Sequence, residues 1–564
     1  MSDLPTNDAT VRAETDRKNA VVADIMRLFS ELVMWRNVFA EQWEEVAALL
    51  YPSQRNTFYF NSFNFPGEKK TDQMVDATAM LALSRFTAIS DSMITPRNQQ
   101  WHGLESSNDY VMKDRASRMW FEDTTRRLFK ARYSSFANFT SQNLAVFRSV
   151  GAFGNAGMLT DELAGFPQVR GLRYKAIPLG ELFLIENHQG FVVGFIRWFK
   201  LSAYQAVKQF PGIPLPEAIK AALDKGSQVP FNFLHYVAPR DDYEEGRLDD
   251  KGKFYKSCYI SVEARQLLHE GGYSSFPMAT ARYDIGPNEI YGRGPAMQVL
   301  PAIKTLNAEK RVFLKAAHRA ADPVLLTGDD GLVDFSMRPG ALNKGGMNSE
   351  GRPLVGTLPV GNIQISKEMM DEERSIIQSS FLVDLFQILT ENPRMTVPEV
   401  VERINEKGIL MAPTVGSLQS DYLGSLIPRE LDRMSHMGML LPMPPALKEA
   451  RGEFEVIYTS PLSRAQRAGD VAGFLRSLQS TLELVNATQD ASPLDVFNFD
   501  TAYPEVARLQ GTPERWLADE EQINDKREAR AQAQQKQQEI QAAPAAAAIM
   551  KAQAVAQKAG MVKK

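Results

Sequence analysis

Three carboxylates lie close together in the segment "TGDDGLVD", which runs from Thr327 to Asp334. The side chains of Asp329, Asp330 and Asp334 could hold a divalent cation, because oxygen ligands suit such ions. Asp-Gly beside strand-forming residues is also typical of a hairpin turn, and the sequence favours that interpretation. A metal-dependent nuclease or hydrolase is therefore the weaker hypothesis, and we expect no bound metal.

Glycines before a helix form a second candidate site, in "YGRGP" from Tyr291 to Pro295. The N-terminus of a helix can bind an anion, but a single Gly-Arg-Gly favours a plain backbone turn into the helix. The chain contains no phosphate-binding loop, dinucleotide fingerprint, nucleophile elbow or EF-hand loop. The absence of these motifs carries weight in a chain of this size, and we expect no cofactor.

Cysteine and histidine add little chemistry. Cys258 is the only cysteine, so a disulfide within the chain is impossible and assembly in a reducing cytoplasm fits. The six histidines are scattered, with no H-E-x-x-H motif and no i,i+4 pair, so we expect structural roles for them.

The composition is that of a globular protein with several domains. The chain has 564 residues, of which 44% are hydrophobic and 23% charged. Its net charge of −4 argues against binding nucleic acid by overall electrostatics. No apolar run approaches the roughly 18 residues of a membrane span, so we expect a protein that is neither secreted nor membrane-spanning.

Periodicity indicates the elements that must position any site. Helical spacing dominates the first quarter, over Val11 to Tyr51, Thr71 to Ile94 and Ala116 to Val150. Short β segments follow, including a hairpin with its turn at Asn187 to Gly190. Helices followed by strands predict an α+β fold that is mainly helical.

Two long helices then bracket an insert. The first is predicted over 294–321, with a bend at Pro301, and the second over 366–390. The insert between them carries strand-like pieces such as "PVLL" and "GRPLVGTLPV", which predict a small β module. A helical stretch follows over 396–439, with interruptions near Pro413 and Pro428, and a strand and a helix come after it.

The bracketing helices carry opposite charges. The first bears Lys304, Lys310, Arg311, Lys315 and Arg319, and the second bears Glu368, Asp371, Glu372 and Glu373. Such faces attract each other, either within one subunit or between copies in a ring. The alternative is two solvated faces whose exposed pairs contribute little stability.

A short loop with one arginine follows the second helix, in "QILTENPRMTVPEVVERINEKG" from Gln387 to Gly408. Thr396 can cap a new helix, Pro398 suits its first turn, and Glu399 completes a capping box. The sequence therefore specifies the helix restart and leaves a brief loop before it.

Taken in order, segments along nearly the whole chain resemble the portal, or head-to-tail connector, proteins of short-tailed bacteriophages. They include "SMITPRNQQWHGL", "YGRGPAMQVLPAIKTLN", "MTVPEVVERINEKG" and "VIYTSPLSRAQRAG". The resemblance implies a dodecameric ring at one capsid vertex, whose channel passes double-stranded DNA during packaging and ejection. Such proteins are not enzymes, because a separate terminase carries the packaging ATPase.

The resemblance also implies domains and partners. The domains would be a wing over 1–293 and 397–450, stem helices over 294–321 and 366–390, a clip over 322–365, a tunnel loop over 391–396, a crown over 451–520, and a helical or disordered Gln/Ala-rich tail over 521–564. The partners would be further copies, DNA, the large terminase subunit, the major capsid protein, a scaffolding protein, a head-tail adaptor and, as a further candidate, internal core proteins. The protein would be assembled in the host cytoplasm, reside in the virion and have no membrane partner.

Residue roles follow from this mapping. In the clip, Asp329, Asp330, Asp334 and Arg338 would contact the terminase and later the adaptor. In the tunnel loop, the residues nearest DNA would be Asn392, Pro393, Arg394 and Met395. Arg394, repeated around the ring, would form a thin basic collar in a near-neutral tube through which DNA can slide. The alternatives are a plain interhelical turn with an exposed arginine and, for the whole protein, an internal core or ejection component.

Overall fold

The structure is a computed structural model. It describes residues 7–59, 67–164, 169–327, 336–358, 363–383, 416–450, 452–459, 461–490, 492–509, 512, 516–518, 522–536 and 550–551. Helix accounts for about 52% and strand for 17%. The predicted α+β class is confirmed.

The helices and strands have the following bounds. The helices are α1 (Asn7–Leu49), α2 (Thr78–Ile94), α3 (Asp109–Lys113), α4 (Arg115–Arg132), α5 (Phe139–Phe153), α6 (Ala203–Gln209), α7 (Glu217–Asp224), α8 (Pro295–Gln298), α9 (Leu300–Ala321), α10 (Ile363–Ser380), α11 (Gly424–His436), α12 (Pro445–Glu449), α13 (Pro461–Thr488) and α14 (Phe499–Leu509). The strands are β1 (His102–Glu105), β2 (Asn155–Glu162), β3 (Leu172–Ile177), β4 (Leu182–Glu186), β5 (Val192–Ser202), β6 (Pro230–Pro239), β7 (Tyr255–Ser261), β8 (Gln266–Tyr273), β9 (Met278–Arg282), β10 (Leu325–Thr327), β11 (Val355–Thr357) and β12 (Glu455–Tyr458).

The chain divides into two compact units. The first comprises Met1–Trp101, Arg126–Leu440 and Ser460–Gln466, and the second comprises His102–Thr125, Leu441–Thr459 and Arg467–Lys564. In the second unit β1 pairs antiparallel with β12, with Glu105 opposite Glu455. In that unit α3 also packs against α12, and Val111 and Leu447 are fully buried. Segments far apart in sequence therefore build this unit.

An antiparallel five-stranded sheet, ordered β4-β5-β6-β7-β8, forms much of the first unit. The predicted hairpin at its start is confirmed. Asn187 accepts hydrogen bonds from the backbone N–H groups of Gln189 and Phe191, both at 3.0 Å, and Gly190 takes a positive φ of 85°. A side-chain acceptor and a glycine thus build the turn between β4 and β5.

A smaller antiparallel sheet, ordered β3-β2-β9, lies among helices of the same unit. The helix α5 packs on β2 and β3, and α11 packs on β2 and β9. The helix α11 follows a π-helical turn at Leu418–Leu423 and continues through Pro428. The interruption expected near Pro428 is therefore wrong, because the helix runs through the proline with buried neighbours such as Ile427 and Leu431. The other expected interruption, near Pro413, lies outside the described residues.

Arg36 lies inside the core, where α1 crosses the large sheet. Its guanidinium donates hydrogen bonds to the carbonyl groups of Phe58 and Gly180, both at 2.9 Å, and of Leu179 at 3.2 Å. The guanidinium carbon also lies 3.9 Å from the ring centroid of Phe183. Burial lowers the pKa of Arg36 to about 10. This arginine fixes α1 to the backbone around it.

Candidate functional site

The segment "YGRGP" is a backbone crossing that starts the first long helix. Gly154 and Gly294 approach so closely that a Cβ on Gly294 would lie 2.6 Å from the backbone nitrogen of Gly154. The side chain of Asn155 holds Gly292 by two hydrogen bonds, donating to its carbonyl at 2.7 Å and accepting from its N–H at 2.8 Å. The favoured interpretation of this segment as a turn is therefore confirmed.

The predicted helix over 294–321 is two helices. The short α8 ends at Gln298, and α9 begins at Leu300 with Pro301 in its first turn, where the missing N–H costs little. The bend expected at Pro301 therefore lies just before it.

The first half of α9 is anchored in the core. Leu300, Ile303 and Leu306 are buried there. The side-chain oxygen of Asn307 accepts hydrogen bonds from the backbone N–H groups of Val75 at 2.8 Å and Asp76 at 3.2 Å. This half of α9 is therefore fixed to the segment that precedes α2.

The second long helix, α10, is anchored at the same place. Arg374 donates a hydrogen bond to Asp76 at 2.9 Å and another to Asp371 at 2.7 Å. Burial alone would raise the pKa of Asp76, but hydrogen bonds from Thr78 and Arg374 hold it below its usual range. Asp76 therefore joins the start of α2 to α10 by an ion pair.

The contact between the two long helices includes like charges. Glu309 on α9 and Glu373 on α10 each have a buried carboxylate oxygen without a hydrogen-bond partner in the described part of the chain. Burial, and then Glu309 and Glu372, raise the pKa of Glu373. Two carboxylates that face each other favour a proton on one of them.

Two basic residues of α9, Lys304 and Arg311, contact other parts of the same chain. The ammonium nitrogen of Lys304 lies 2.6 Å from a carboxylate oxygen of Glu45 on α1, and Arg311 donates to the backbone carbonyl of Gln73 at 2.9 Å. Within one chain these contacts tie the helix to the core.

The far half of α9 and the outer face of α10 are exposed. From position 308 onward no described residue of α9 is buried, and Val312 is 64% exposed. Exposed charged residues on these surfaces are Lys315, Arg319, Glu368, Asp371 and Glu372. Exposed apolar residues beside them are Leu314, Met369 and Ile376. The two helices therefore present mixed apolar and charged surfaces of opposite sign.

A small β module lies between the helices, as the sequence predicted. We use this term for residues 322–327 and 336–358, in which β10 pairs antiparallel with β11 and Leu326 lies opposite Gly356. A bridge between Met347 and Pro353 adds a second turn. None of the described residues in this range is buried.

Several predicted site residues lie outside the described part of the chain. These are Asp329, Asp330, Asp334, Asn392, Pro393, Arg394 and Met395. Arg338 is described and is exposed. Across the described residues, no group of three or more histidine, cysteine, aspartate or glutamate side chains could hold a metal ion, and no helix is long and apolar enough to cross a membrane.

Sequence reasoning missed a buried polar network on α11, the helix that follows the undescribed range 384–415. Arg132 donates to both carboxylate oxygens of Glu430, at 2.9 and 2.5 Å, and Tyr174 donates to the first of them at 2.5 Å. Next to this pair, Arg429 donates to the backbone carbonyl of Thr160 at 3.0 Å. These side chains fix α11 to β2, β3 and α4. The only signal in the sequence was the segment "LIPRELDRM", where charges interrupt an apolar helix.

Comparison with known proteins places the chain among the structural proteins of bacteriophage particles. It belongs to the family described as the bacteriophage head to tail connecting protein, whose model matches residues 22–517. It is 24% identical over 546 residues to the portal protein of Salmonella phage epsilon15, and the match covers 95% of each chain. It is 26% identical over 455 residues to a probable portal protein of Bordetella phage BPP-1, covering 79% of this chain and 80% of that one.

One solved structure is also similar, a chain in the neck of an empty GTA particle computed with C6 symmetry. The identity is 14% and the TM-score 0.32, over 66% of this chain and 82% of that chain. A score this low carries no argument. The family match and the two relatives, by contrast, confirm the expected portal, or head-to-tail connector, function, which is a structural role.

Proposed function

We propose that this protein assembles as a closed dodecameric ring at one vertex of the capsid, and that double-stranded DNA passes through the ring during packaging and ejection. One observation carries the proposal beyond family membership. Among the described residues, the buried anchors of the two long helices lie in the first half of α9 and from Met370 onward in α10, and the exposed surfaces of both helices bear apolar residues and opposite charges. In a ring, the basic surface of one copy would meet the acidic surface of the next, which is a head-to-tail contact that closes.

The proposed domains follow the predicted boundaries. The stem would comprise 294–321 and 366–390, and the clip 322–365. The wing would comprise 1–293 and 397–450. The crown would cover 451–520 and the tail 521–564. The anchoring of α9 and α10 near Asp76, with a β module between their far ends, supports the stem and the clip.

The proposed DNA contact is the tunnel loop, 391–396. Asn392, Pro393 and Met395 would face the channel beside Arg394. A single arginine per copy makes a weak basic collar, and the net charge of −4 supports a lining that does not trap DNA.

The proposed partners are those of a head-to-tail connector. The clip, through Arg338 and the three aspartates Asp329, Asp330 and Asp334, would bind the large terminase subunit and later the head-tail adaptor. The wing and crown would meet the major capsid protein, the scaffolding protein and internal core proteins. Assembly would take place in the host cytoplasm.

Native mass spectrometry and negative-stain imaging of the purified full-length chain test this proposal. We expect a closed ring with an open channel, and a low-salt titration in which the ring binds DNA only weakly. A protein that stays monomeric, or that forms open filaments, would contradict the ring. Tight DNA binding by the assembled ring would contradict a sliding conduit.

A further inference from the structure

A groove runs along the middle of α1, next to the turn that joins β7 to β8. Its volume is about 430 Å³, which is within the range of ligand sites. The residues of α1 that line it lie on one face of the helix and are Asn19, Val22, Ala23, Met26, Arg27 and Ser30. At 1.5 Å per residue this face is about 16 Å long, which matches about five residues of extended chain.

The floor of the groove is apolar. Val22 is buried, and Met26 is half-buried against the core between α1 and the large sheet. Ala23 lies exposed beside them. The hydroxyl of Ser30 donates a hydrogen bond to the backbone carbonyl of Met26 at 2.9 Å, so its oxygen can still accept one. The groove therefore suits an apolar side chain together with the backbone that carries it.

Arg265, in the turn between β7 and β8, also lines the groove and has an unusual backbone. Its N–H donates to the carbonyl of Val262 at 3.3 Å, and its φ is 47°. Glycine and asparagine suit this left-handed conformation, whereas an arginine carries a steric cost. Among the non-glycine residues described with a positive φ, Arg265 is the only charged one. Arginine at a position that favours glycine indicates a role for its guanidinium.

Two acidic residues near the groove are engaged with other groups. Glu263, in the same turn, accepts hydrogen bonds from the backbone N–H of Asn232 at 2.9 Å and from its side chain at 2.7 Å. Asp24 pairs with Arg27 at 3.5 Å, so these two exposed charges balance each other. Arg265 therefore supplies the net positive charge of the groove.

We propose that this groove is a docking site for an acidic segment of another protein, in which an apolar side chain enters the floor and a flanking carboxylate binds Arg265. Charge complementarity identifies the occupant as acidic, because a basic segment would meet a like charge. A guanidinium can hold a carboxylate by two parallel hydrogen bonds, which also fixes the direction of the bound segment. The inference goes beyond the proposed ring and does not depend on it, since the groove lies within one chain.

Reversible disulfide capture tests the inference on the full-length protein. Ala23→Cys gives the groove a thiol, and the native Cys258 is fully buried and does not compete. The probes are two short cysteine-containing peptides, one with a leucine between glutamates and the other with a leucine between lysines. We expect at least about tenfold more capture of the acidic peptide at low salt, and a smaller preference at high salt. Ala88→Cys, exposed on α2, is the control site and should show no such preference.

Arg265→Gly separates binding from folding. Glycine adopts a φ of 47° without strain, so the thermal midpoint should not fall. In the Ala23→Cys protein this change should abolish the preference for the acidic peptide. Arg265→Lys keeps the positive charge and should retain part of the preference. A lower thermal midpoint for Arg265→Gly would show that the turn itself needs the arginine, and would overturn the inference.

Three further results would also overturn it. The first is equal capture of the two peptides at position 23, and the second is a preference that survives Arg265→Gly. The third is a thiol at position 23 that reacts in the monomer but not in the assembled protein, because a neighbouring copy would then occupy the groove. These results leave the proposed ring standing, whereas absence of a ring by native mass spectrometry would contradict the proposed function alone.

Discussion

Arg132 and Glu430 form a fully buried ion pair across 298 positions of the sequence. The carboxylate also accepts a hydrogen bond from Tyr174, so three polar side chains satisfy one another inside the first unit. Burial and the charge of Glu430 raise the pKa of Tyr174 well above its usual value, which keeps the hydroxyl protonated as a donor. The pair therefore fixes α11, which follows the π-helical turn after the undescribed range that contains the proposed tunnel loop.

Arg132→Met should lower stability by about 3 to 5 kcal/mol, because it leaves the buried charge of Glu430 without its partner. The chemical denaturation midpoint measures this loss. The double variant Arg132→Met/Glu430→Leu should lose less stability than Arg132→Met alone. Arg27→Met is the control, since Arg27 is exposed and pairs with Asp24 at 3.5 Å, and it should cost less than about 1 kcal/mol. Equal losses of stability in Arg132→Met and Arg27→Met would contradict the prediction.

Asp76→Asn should destabilise the protein most at neutral pH. The pKa of Asp76 is held below its usual range in the folded protein. Its carboxylate therefore contributes stability above the unfolded pKa of about 3.9, and this contribution is lost as the pH falls through the folded pKa. Denaturation midpoints of wild type and variant should differ at pH 7 and converge as the pH falls below about 3.9. A constant difference across this range would show that the ion pair with Arg374 is unimportant.

Gly294→Ala should destabilise the protein by about 1 to 3 kcal/mol. The added Cβ would meet the backbone of Gly154, so one of these two backbone segments must move. Gly171→Ala is a matched control in the same unit, since nothing lies within 4 Å of a Cβ at that position. It should change the thermal midpoint little. Similar midpoints for the two variants would contradict the close crossing.

His235→Gln should make the protein less sensitive to acid. Burial, and then the charges of Arg197 and His269, lower the pKa of His235 to about 3. In the unfolded chain this histidine binds a proton near pH 6.5. The free energy of unfolding of the wild type should therefore fall by about 2 kcal/mol between pH 7 and pH 5 because of this group. The variant should lose correspondingly less. His188→Gln is the control, because His188 is exposed in the β4–β5 turn, and it should retain the wild-type loss.

Arg394→Ala should leave rings assembled but reduce DNA packaging or retention, if the arginine forms the proposed collar. Counting filled and empty heads after infection with the variant phage measures the effect. Arg27→Ala, in an exposed part of α1, is the matched control. Normal yields of filled heads from Arg394→Ala would contradict the collar and leave a plain interhelical turn.

Local features were predictable from the sequence because neighbouring residues determine them. The turn at Asn187 to Gly190 and the backbone turn before Pro295 both appear where the pattern indicates. The strand pieces of the β module were equally visible as short apolar runs between turn residues.

Long-range polar contacts were not predictable. Arg132, Glu430 and Arg36 have the side chains of surface residues, and nothing local distinguishes them from exposed arginines and glutamates. Their burial depends on partners that lie far along the chain. The opposite charges of α9 and α10 were visible in the sequence, but the partners of these charges were not. Lys304 pairs with Glu45, and Arg374 pairs with Asp76, both outside these two helices.

The pairing of β1 with β12 sets an order of events during synthesis. About 350 residues separate Glu105 from its partner Glu455. At roughly 5 to 20 residues per second, the ribosome makes the second strand about 20 to 70 seconds after the first. The segment His102–Thr125 must wait that long for the rest of its unit. The sheets β4-β5-β6-β7-β8 and β3-β2-β9, in contrast, have all their strands once residue 282 has left the ribosome.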